Sequence, residues 1–314
     1  MINQVVCPLS GSSDVILVER IRAANLVKLY ARTLKIDVAS EFDHYTEVGY
    51  YPCNESDLRF FFPAVVGSAA FYGQLQHYDW YYLQDKNEYE YVSQYVRPSD
   101  WVLDIGCGKG AFRRRIPTQR YVGLEMSQAA IAEGIKTGIQ IGNESVQQHS
   151  QENAGKYDVV CAFQVLEHVS DVHDFVGAAT LCVKPGGLLI LSVPSYDSFC
   201  RYATNFSLDL PPHHVSRWSD KALGNIANIF SLAVVEIWHE SLQILHKQFY
   251  AQTIASHALR SILGHRYLNV NLSLKNKLIA MAGGCLGNLF AKGLTGPELR
   301  PRGISVTGVF RKPL

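Results

Sequence analysis

The chain has almost no net charge: over 314 residues, 29 Lys and Arg stand against 28 Asp and Glu. Proteins that hold nucleic acid or another polyanion normally show a basic excess, so nucleic acid is disfavoured as a partner. Charged residues are sparse at 18%, while apolar residues reach 47%, enough for a real core and too much for a disordered chain. No apolar run has the roughly 20 residues that a bilayer span needs. The longest, Leu278 to Ala291, is broken by Gly283, Gly284 and Asn288. The first ten residues lack the basic start and apolar run of a secretory signal, so a cytoplasmic protein is expected. The seven cysteines are odd in number and scattered, which argues against a disulfide framework. Internal repeats are absent too. At roughly 150 residues per domain, the length suggests about two domains.

What is present is clearest in the middle third. Trp101 to Ile105, Tyr121 to Leu124, Tyr157 to Phe163 and Leu188 to Val193 are short apolar runs bounded by turn residues, and read as strands. Helical stretches lie between them, Ser127 to Gly134 and Val172 to Val183, with Ser127 and Ser170 or Asp171 as N-caps. Strands alternating with helices imply βαβ units and a parallel sheet. Before this core a helix is expected over Ile16 to Leu34, then a strand at Leu58 to Phe62. After it come strands at Ala233 to Trp238 and Ile304 to Phe310, with a mostly helical stretch between them.

The strongest local signal is Val102-Leu-Asp-Ile-Gly-Cys-Gly-Lys-Gly110, a strand running into three glycines at alternate positions. Glycine permits tight turns and close backbone approach to a ligand. Glu125 follows 21 residues after Asp104, at the end of the next strand. In a doubly wound sheet that places a carboxylate beside the glycine loop, able to accept from ribose hydroxyls. The spacing is neither the dinucleotide G-x-G-x-x-G nor a P-loop. The segment resembles motif I of the class I S-adenosylmethionine-dependent methyltransferases. Tyr157-Asp-Val-Val-Cys-Ala-Phe-Gln-Val-Leu-Glu-His-Val169 resembles the fourth strand and turn of the ubiquinone-biosynthesis-like O-methyltransferases. Val183-Lys-Pro-Gly-Gly-Leu-Leu-Ile-Leu-Ser-Val-Pro194 resembles their glycine turn and fifth strand.

The resemblance implies an α/β fold, a Rossmann-like seven-stranded mostly parallel sheet with an antiparallel last strand. It implies S-adenosylmethionine as cofactor and S-adenosylhomocysteine as product. Asp104, Gly106, Cys107 and Gly108 would hold its methionine part, with Glu125 and Met126 at the ribose. Ser145 and Val146 would flank the adenine, and Phe163 and Gln164 would lie near the transferred methyl. In this family the segment before the first strand often folds over the cofactor, which would make Tyr82 and Glu88 its neighbours.

A hydroxyl acceptor must lose a proton as it takes the methyl, and histidine suits that task near neutral pH. His213 and His214, in Leu210-Pro-Pro-His-His-Val-Ser-Arg-Trp218, follow the fifth strand, where the family places acceptor-binding residues. The Ser-Arg-Trp-Ser beyond them reads as the start of a helix. His168, beside Glu167, is a third candidate, though a structural or cofactor-side role fits that turn as well.

Cys7-Pro-Leu-Ser10 and Cys53-Asn-Glu-Ser56 each read as C-x-x-C with the second Cys replaced by Ser. Some bacterial glycan-cluster methyltransferases begin with a small four-cysteine zinc module of similar layout. Two thiolates and two hydroxyls make a poor zinc set, so a degenerate module and no metal are expected. Arg113-Arg-Arg115 reads as a solvated face, with an anionic acceptor as the sharper alternative. The expected division is residues 1–65 a zinc-ribbon-like region, 66–95 aromatic lid helices, 96–245 the cofactor-binding core, 246–300 a helical cap and 301–314 the last strand. A homodimer or a lipid contact through residues 246–300 stays open beside the cap. Methyl transfer to a hydroxyl of a small molecule, sugar or glycan is the leading expectation. Sugar C-methylation and a non-catalytic cofactor- or partner-binding module are its rivals.

Overall fold

The computed structural model describes residues 4–78, 85–293 and 301–314. The first strand, β1 (Glu19–Arg22), runs directly into α1 (Ala23–Thr33). The helix expected over Ile16 to Leu34 therefore forms only from Ala23, after a four-residue strand. The pairing partner decides this: β1 lies antiparallel to β2 (Glu47–Pro52), with Ile21 buried opposite Val48. An isolated sequence window cannot see such a partner. The strand expected at Leu58 to Phe62 forms as β3 (Arg59–Phe62) on the other side of β2. Two short helices, α2 (Ala69–Leu75) and α3 (Asn87–Ser93), lead to the central sheet.

That sheet is built from β4 (Val102–Ile105), β5 (Tyr121–Leu124), β6 (Ile141–Gly142), β7 (Tyr157–Phe163) and β8 (Val183–Pro194), all parallel. The helices between them are α4 (Gln128–Lys136), α5 (Val146–Glu152) and α6 (Val172–Cys182). Ser127 and Asp171 cap α4 and α6 as expected, and Ser145, expected only beside the adenine, caps α5; each accepts from an amide of the first turn. After β8 come β9 (Ser216–Arg217), α7 (Asp220–Ile229) and β10 (Ala233–Ser241). The helical pair α8 (Lys247–Ile262) and α9 (Leu274–Ala291) precedes β11 (Arg302–Arg311).

The strand order is β10-β11-β8-β7-β4-β5-β6, with β11 antiparallel to both neighbours. This is the expected seven-stranded doubly wound sheet. Chain direction reverses across β4, whose neighbours are β5 and β7, so the crevice at the carboxyl ends of these strands is the topological switch point. β4 and β5 are buried along their whole length, as a sheet covered on both faces requires.

A second, antiparallel sheet has the order β1-β2-β3-β9. Its last strand comes from the segment after the paired histidines. Ser216 and Arg217 were expected to open a helix; they pair instead with Phe60 and Arg59, and the helix starts at Asp220 with Ser219 as its cap. The N-terminal region and the core also share apolar contacts: Cys7, Leu9, Cys53, Leu58 and Phe60 belong to one buried cluster with Leu103, Val160 and Trp218.

α8 and α9 form a hairpin held by close backbone approach. A Cβ at Gly283 would lie 2.2 Å from Ser256 Oγ, and one at Gly287 would lie 2.5 Å from the Gln252 backbone. Leu278, Met281, Leu289 and Phe290 of α9 are exposed. Among the described residues no helix is long and apolar enough to cross a membrane.

Candidate active site

The glycine loop leaves β4 at the switch point. Gly106, Gly108 and Gly110 all have φ between +55° and +76°, a region that costs other residues dearly. A Cβ at Gly106 would also lie 2.4 Å from Val165 Cγ2, in the turn after β7. The loop is stitched to the end of β5, since the amides of Gly106 and Cys107 both donate to Leu124 O.

Glu125 sits where the spacing predicts. Its Oε2 accepts from the Gly108 amide at 2.9 Å, and its Oε1 accepts from the amides of Met126 and Ser127 at 2.8 Å each. The carboxylate is thus fixed beside the loop, with one lone-pair site left on Oε2 to accept from a ribose hydroxyl. Asp104 lies beneath the loop. Its Oδ2 accepts from the Tyr121 hydroxyl at 2.7 Å, and burial raises its carboxyl to about 7 against the pull of that bond. A cradle in which a side chain would clash, backed by a pinned carboxylate, fits the ribose and methionine parts of an adenosyl sulfonium.

The other expected cofactor residues reach the same edge of the sheet in different ways. Ser145 caps α5 just past β6, and Met126 is 67% exposed beside Glu125. The side chains of Cys107, Val146 and Phe163 turn into the core. Cys107 Sγ fills the space a Cβ on Gly123 would need, and Phe163 packs on Tyr89 and Phe112. These three offer backbone to the crevice, not side chain. Gln164 has φ of 58°, and its Nε2 lies 3.4 Å from Glu88 Oε1 and from Ser305 Oγ. Glu88 is buried, and burial holds its carboxyl above the ordinary range. Tyr82 lies outside the described residues.

The histidines named from sequence converge. His168, in the turn after β7, and His213 and His214, in the loop after β8, offer ring nitrogens that all lie within 4.8 Å of one another. Two elements hold this loop. Tyr30 of α1 donates to Ser207 O at 2.7 Å and to Leu210 O at 2.8 Å, and β9 ties its exit to β3. Tyr72 of α2 lies edge-on to His168. Each ring's Nδ1 is occupied: His168 bonds His213 O at 2.6 Å, His213 bonds Leu208 O at 2.8 Å, and His214 bonds Asp209 Oδ1 at 3.2 Å. Asp209 is itself held by Arg217, Nε to Oδ2 at 2.8 Å. Burial lowers all three imidazoles, His168 to about 4 and the other two well below the usual range.

Three participants were not picked out from sequence. Glu167 was read only as the neighbour of His168, yet it is 1% exposed and its Oε1 lies 3.8 Å from His168 Nε2 and 4.0 Å from His214 Nε2. Asp209 and Arg217 support His214 from behind. The one sequence signal for this was an acid five residues ahead of His214 in a short, proline-stiffened loop.

The two C-x-x-S turns also meet. Cys7 Sγ lies 3.2 Å from Ser56 Oγ, and Ser10 Oγ lies 3.8 Å from Cys53 Sγ. Arg113 to Arg115 form a single helical turn, with Arg114 and Arg115 exposed. A cavity of about 180 Å³, lined by residues such as Val6, Pro8, Phe60 and Val215, opens beside the N-terminal sheet and does not border the glycine loop.

Strand order, glycine cradle and pinned acidic residue together define a class I S-adenosylmethionine-dependent methyltransferase. A family profile described as a methyltransferase domain matches residues 75–237, just over half of the chain, and the chain belongs to that family. The ubiquinone biosynthesis O-methyltransferase of Escherichia fergusonii is 37% identical over 99 residues, covering 29% of this chain. The Escherichia coli protein of the same description matches equally. The matched stretch is only 41% of those relatives' length. Among solved structures, an S-adenosylmethionine-dependent methyltransferase from Archaeoglobus fulgidus aligns with a TM-score of 0.45 and 16% identity, over 70% of this chain and 89% of that one.

Proposed function

We propose that this methyltransferase moves the methyl group to a hydroxyl of a small molecule, sugar or glycan-linked acceptor. The acceptor would sit between the end of β7 and the histidine loop. The observation that carries this reading is the convergence of His168, His213 and His214 beside Gln164, on the side of the crevice away from Glu125.

S-adenosylmethionine, when bound, supplies an activated methyl for in-line displacement. What the chain must then supply is alignment and a route for the acceptor's proton. Alignment alone is worth about 7–11 kcal/mol in favourable cases. Asp104, the glycine loop and Glu125 would hold the cofactor, and Gln164, set by Glu88 and Ser305, would orient the acceptor side. With Nδ1 of each imidazole occupied, Nε2 is the nitrogen that faces the acceptor's proton. Near-neutral charge leaves a small or glycan acceptor ahead of nucleic acid.

A screen of sugars, nucleotide-linked sugars and phenols with labelled cofactor tests the acceptor class. Once an acceptor is found, His214→Ala should lower kcat about a hundredfold, the lower range for a positioned proton-transfer group. Cofactor affinity should stay within about twofold. Equal loss of both would remove the histidines from the acceptor side.

Transfer to a sugar carbon is the second reading. It is favoured by the meeting of the two C-x-x-S turns, the layout of the four-cysteine module in glycan-cluster methyltransferases. NMR of the product, showing the new methyl on oxygen or on carbon, separates the two.

A further inference from the structure

The histidine pocket has a property that a proton-transfer role does not require. His168 Nδ1 and His213 Nδ1 both face backbone carbonyls, which only accept, so Nδ1 carries the proton in each ring. His214 Nδ1 faces Asp209 Oδ1 at 3.2 Å, with the Arg217 guanidinium on the other carboxyl oxygen, so Nδ1 is the donor there as well. All three neutral rings therefore present the Nε2 lone pair. This is the arrangement found around metal-ligating histidines, whose second nitrogen donates to a carbonyl or carboxylate that fixes tautomer and orientation.

A carboxylate shares the same space. Glu167 is 1% exposed, and among the described residues neither of its oxygens has a hydrogen-bond partner from another residue. A buried carboxylate left like this costs several kcal/mol unless something positive meets it. A proton on the carboxyl removes its charge but leaves the two facing ring nitrogens unanswered. Oε1 stands 3.8 Å from His168 Nε2 and 4.0 Å from His214 Nε2, beyond hydrogen-bond range.

The separations suit an ion between the groups. Ligands about 2.0–2.1 Å from a tetrahedral zinc lie roughly 3.3 Å from one another. Glu167 Oε1 has about 0.5–0.7 Å to close on the two facing rings, and the ring nitrogens, within 4.8 Å of one another, up to about 1.5 Å among themselves. Three imidazoles and one carboxylate form a set that favours zinc and its borderline neighbours over magnesium or calcium, which prefer all-oxygen shells.

We propose that His168, His213, His214 and Glu167 bind one divalent transition cation of the zinc type. This occupies the same pocket as the methyl-transfer reading: a nitrogen that ligates the ion cannot also take the acceptor's proton, so in the loaded protein the ion takes the place of the imidazole base. The expectation of no metal, drawn from the cysteines of the N-terminal turns, concerned a different place in the fold. Such an ion, bordering the acceptor side, would lower the pKa of a hydroxyl brought to it.

The test uses the full chain with Cys7 and Cys53 both changed to Ser, so that the C-x-x-S turns cannot supply thiolates. After chelation and dialysis, Co²⁺ is titrated and followed by its visible d–d absorption. One equivalent should bind with a tetrahedral spectrum and no thiolate charge-transfer band. Zn²⁺ should displace it and Mg²⁺ should not. Zn²⁺ should also raise the Tm of the wild-type chain, a readout that needs no variant. Glu167→Gln should weaken Co²⁺ binding at least tenfold, and His168→Ala should abolish it. S-adenosylhomocysteine binding by each variant reports that it has folded. Sub-stoichiometric or absent binding, no Tm shift, or a signal that survives in folded His168→Ala would overturn the proposal. Failure of the acceptor screen would leave this result untouched, and the reverse holds as well.

Discussion

At the scale of single residues, Glu125 and Asp104 sit in opposite surroundings. Glu125 has three amides pointing at its two oxygens and room to accept once more. Hydrogen bonds to charged groups are worth about 1.5–3 kcal/mol each. Losing the bond it offers the ribose should weaken cofactor binding about tenfold or more, so Glu125→Ala should show that loss in calorimetry with S-adenosylhomocysteine. Unchanged affinity would move the ribose elsewhere. Asp104 has its carboxyl raised by burial to about 7. Its folded value lies above the unfolded value of about 3.9. The sign follows: this group's contribution is intact below about pH 4 and is lost as pH rises through 7. Asp104→Asn should therefore flatten the fall of Tm between pH 5 and 8 in the cofactor-free protein. An unchanged slope would show that Asp104 is not the group responsible. Gly106 and Glu125 were legible from sequence because a turn that needs positive φ and an acid one strand later are local facts. Glu167 was not, because its burial and its distance to His214 depend on a loop some 45 residues away.

At the scale of elements, the helix caps and most strands could be read directly. Ser127 and Asp171 announce their helices by capping chemistry alone, and Tyr157 to Phe163 is apolar enough to be a buried strand in any context. The elements that misled are those whose form is decided by a partner. β1 is a strand because β2 lies beside it, and β9 is only two residues long, defined by pairing with β3. β6, also two residues, leaves almost no trace in the sequence. The histidine loop depends on another such partner, Tyr30 of α1. Tyr30→Phe removes one hydroxyl donor shared by Ser207 O and Leu210 O, which keep their backbone partners, so the loss is about 0.5–1.5 kcal/mol. Faster amide exchange over residues 207–214, with cofactor affinity unchanged, is the expected result. Equal protection in wild type and variant would show that the loop is held by other contacts. In the helical pair, Gly287→Leu should drive α8 and α9 apart, since even a Cβ there meets the Gln252 backbone. Limited proteolysis should then cut within 247–293 while the core stays intact.

At the scale of the whole molecule, the count of about two domains is too coarse. The seven-stranded sheet is the expected cofactor unit, but the N-terminal sheet borrows its fourth strand from that unit and shares its apolar cluster. A chain lacking residues 1–65 should therefore lose more than a lid. It should bind S-adenosylhomocysteine weakly or not at all, and melt at least several degrees lower, because β9 and Trp218 lose their packing. A truncated chain with native Tm would show two independent units.

The pairing of β9 with β3 also sets an order of events during synthesis. About 150 residues separate Phe62 from Ser216, so the N-terminal sheet waits, one edge open, until most of the chain has left the ribosome. Closing so long a loop adds little to the equilibrium cost, but non-local pairings of this kind slow folding. The closure that completes that sheet is the same one that draws His213 and His214 toward His168. A nascent chain that stalls before residue 216 can therefore form its glycine loop but never its histidine pocket. The glycine loop forms early, and the acceptor side only when the chain is nearly whole.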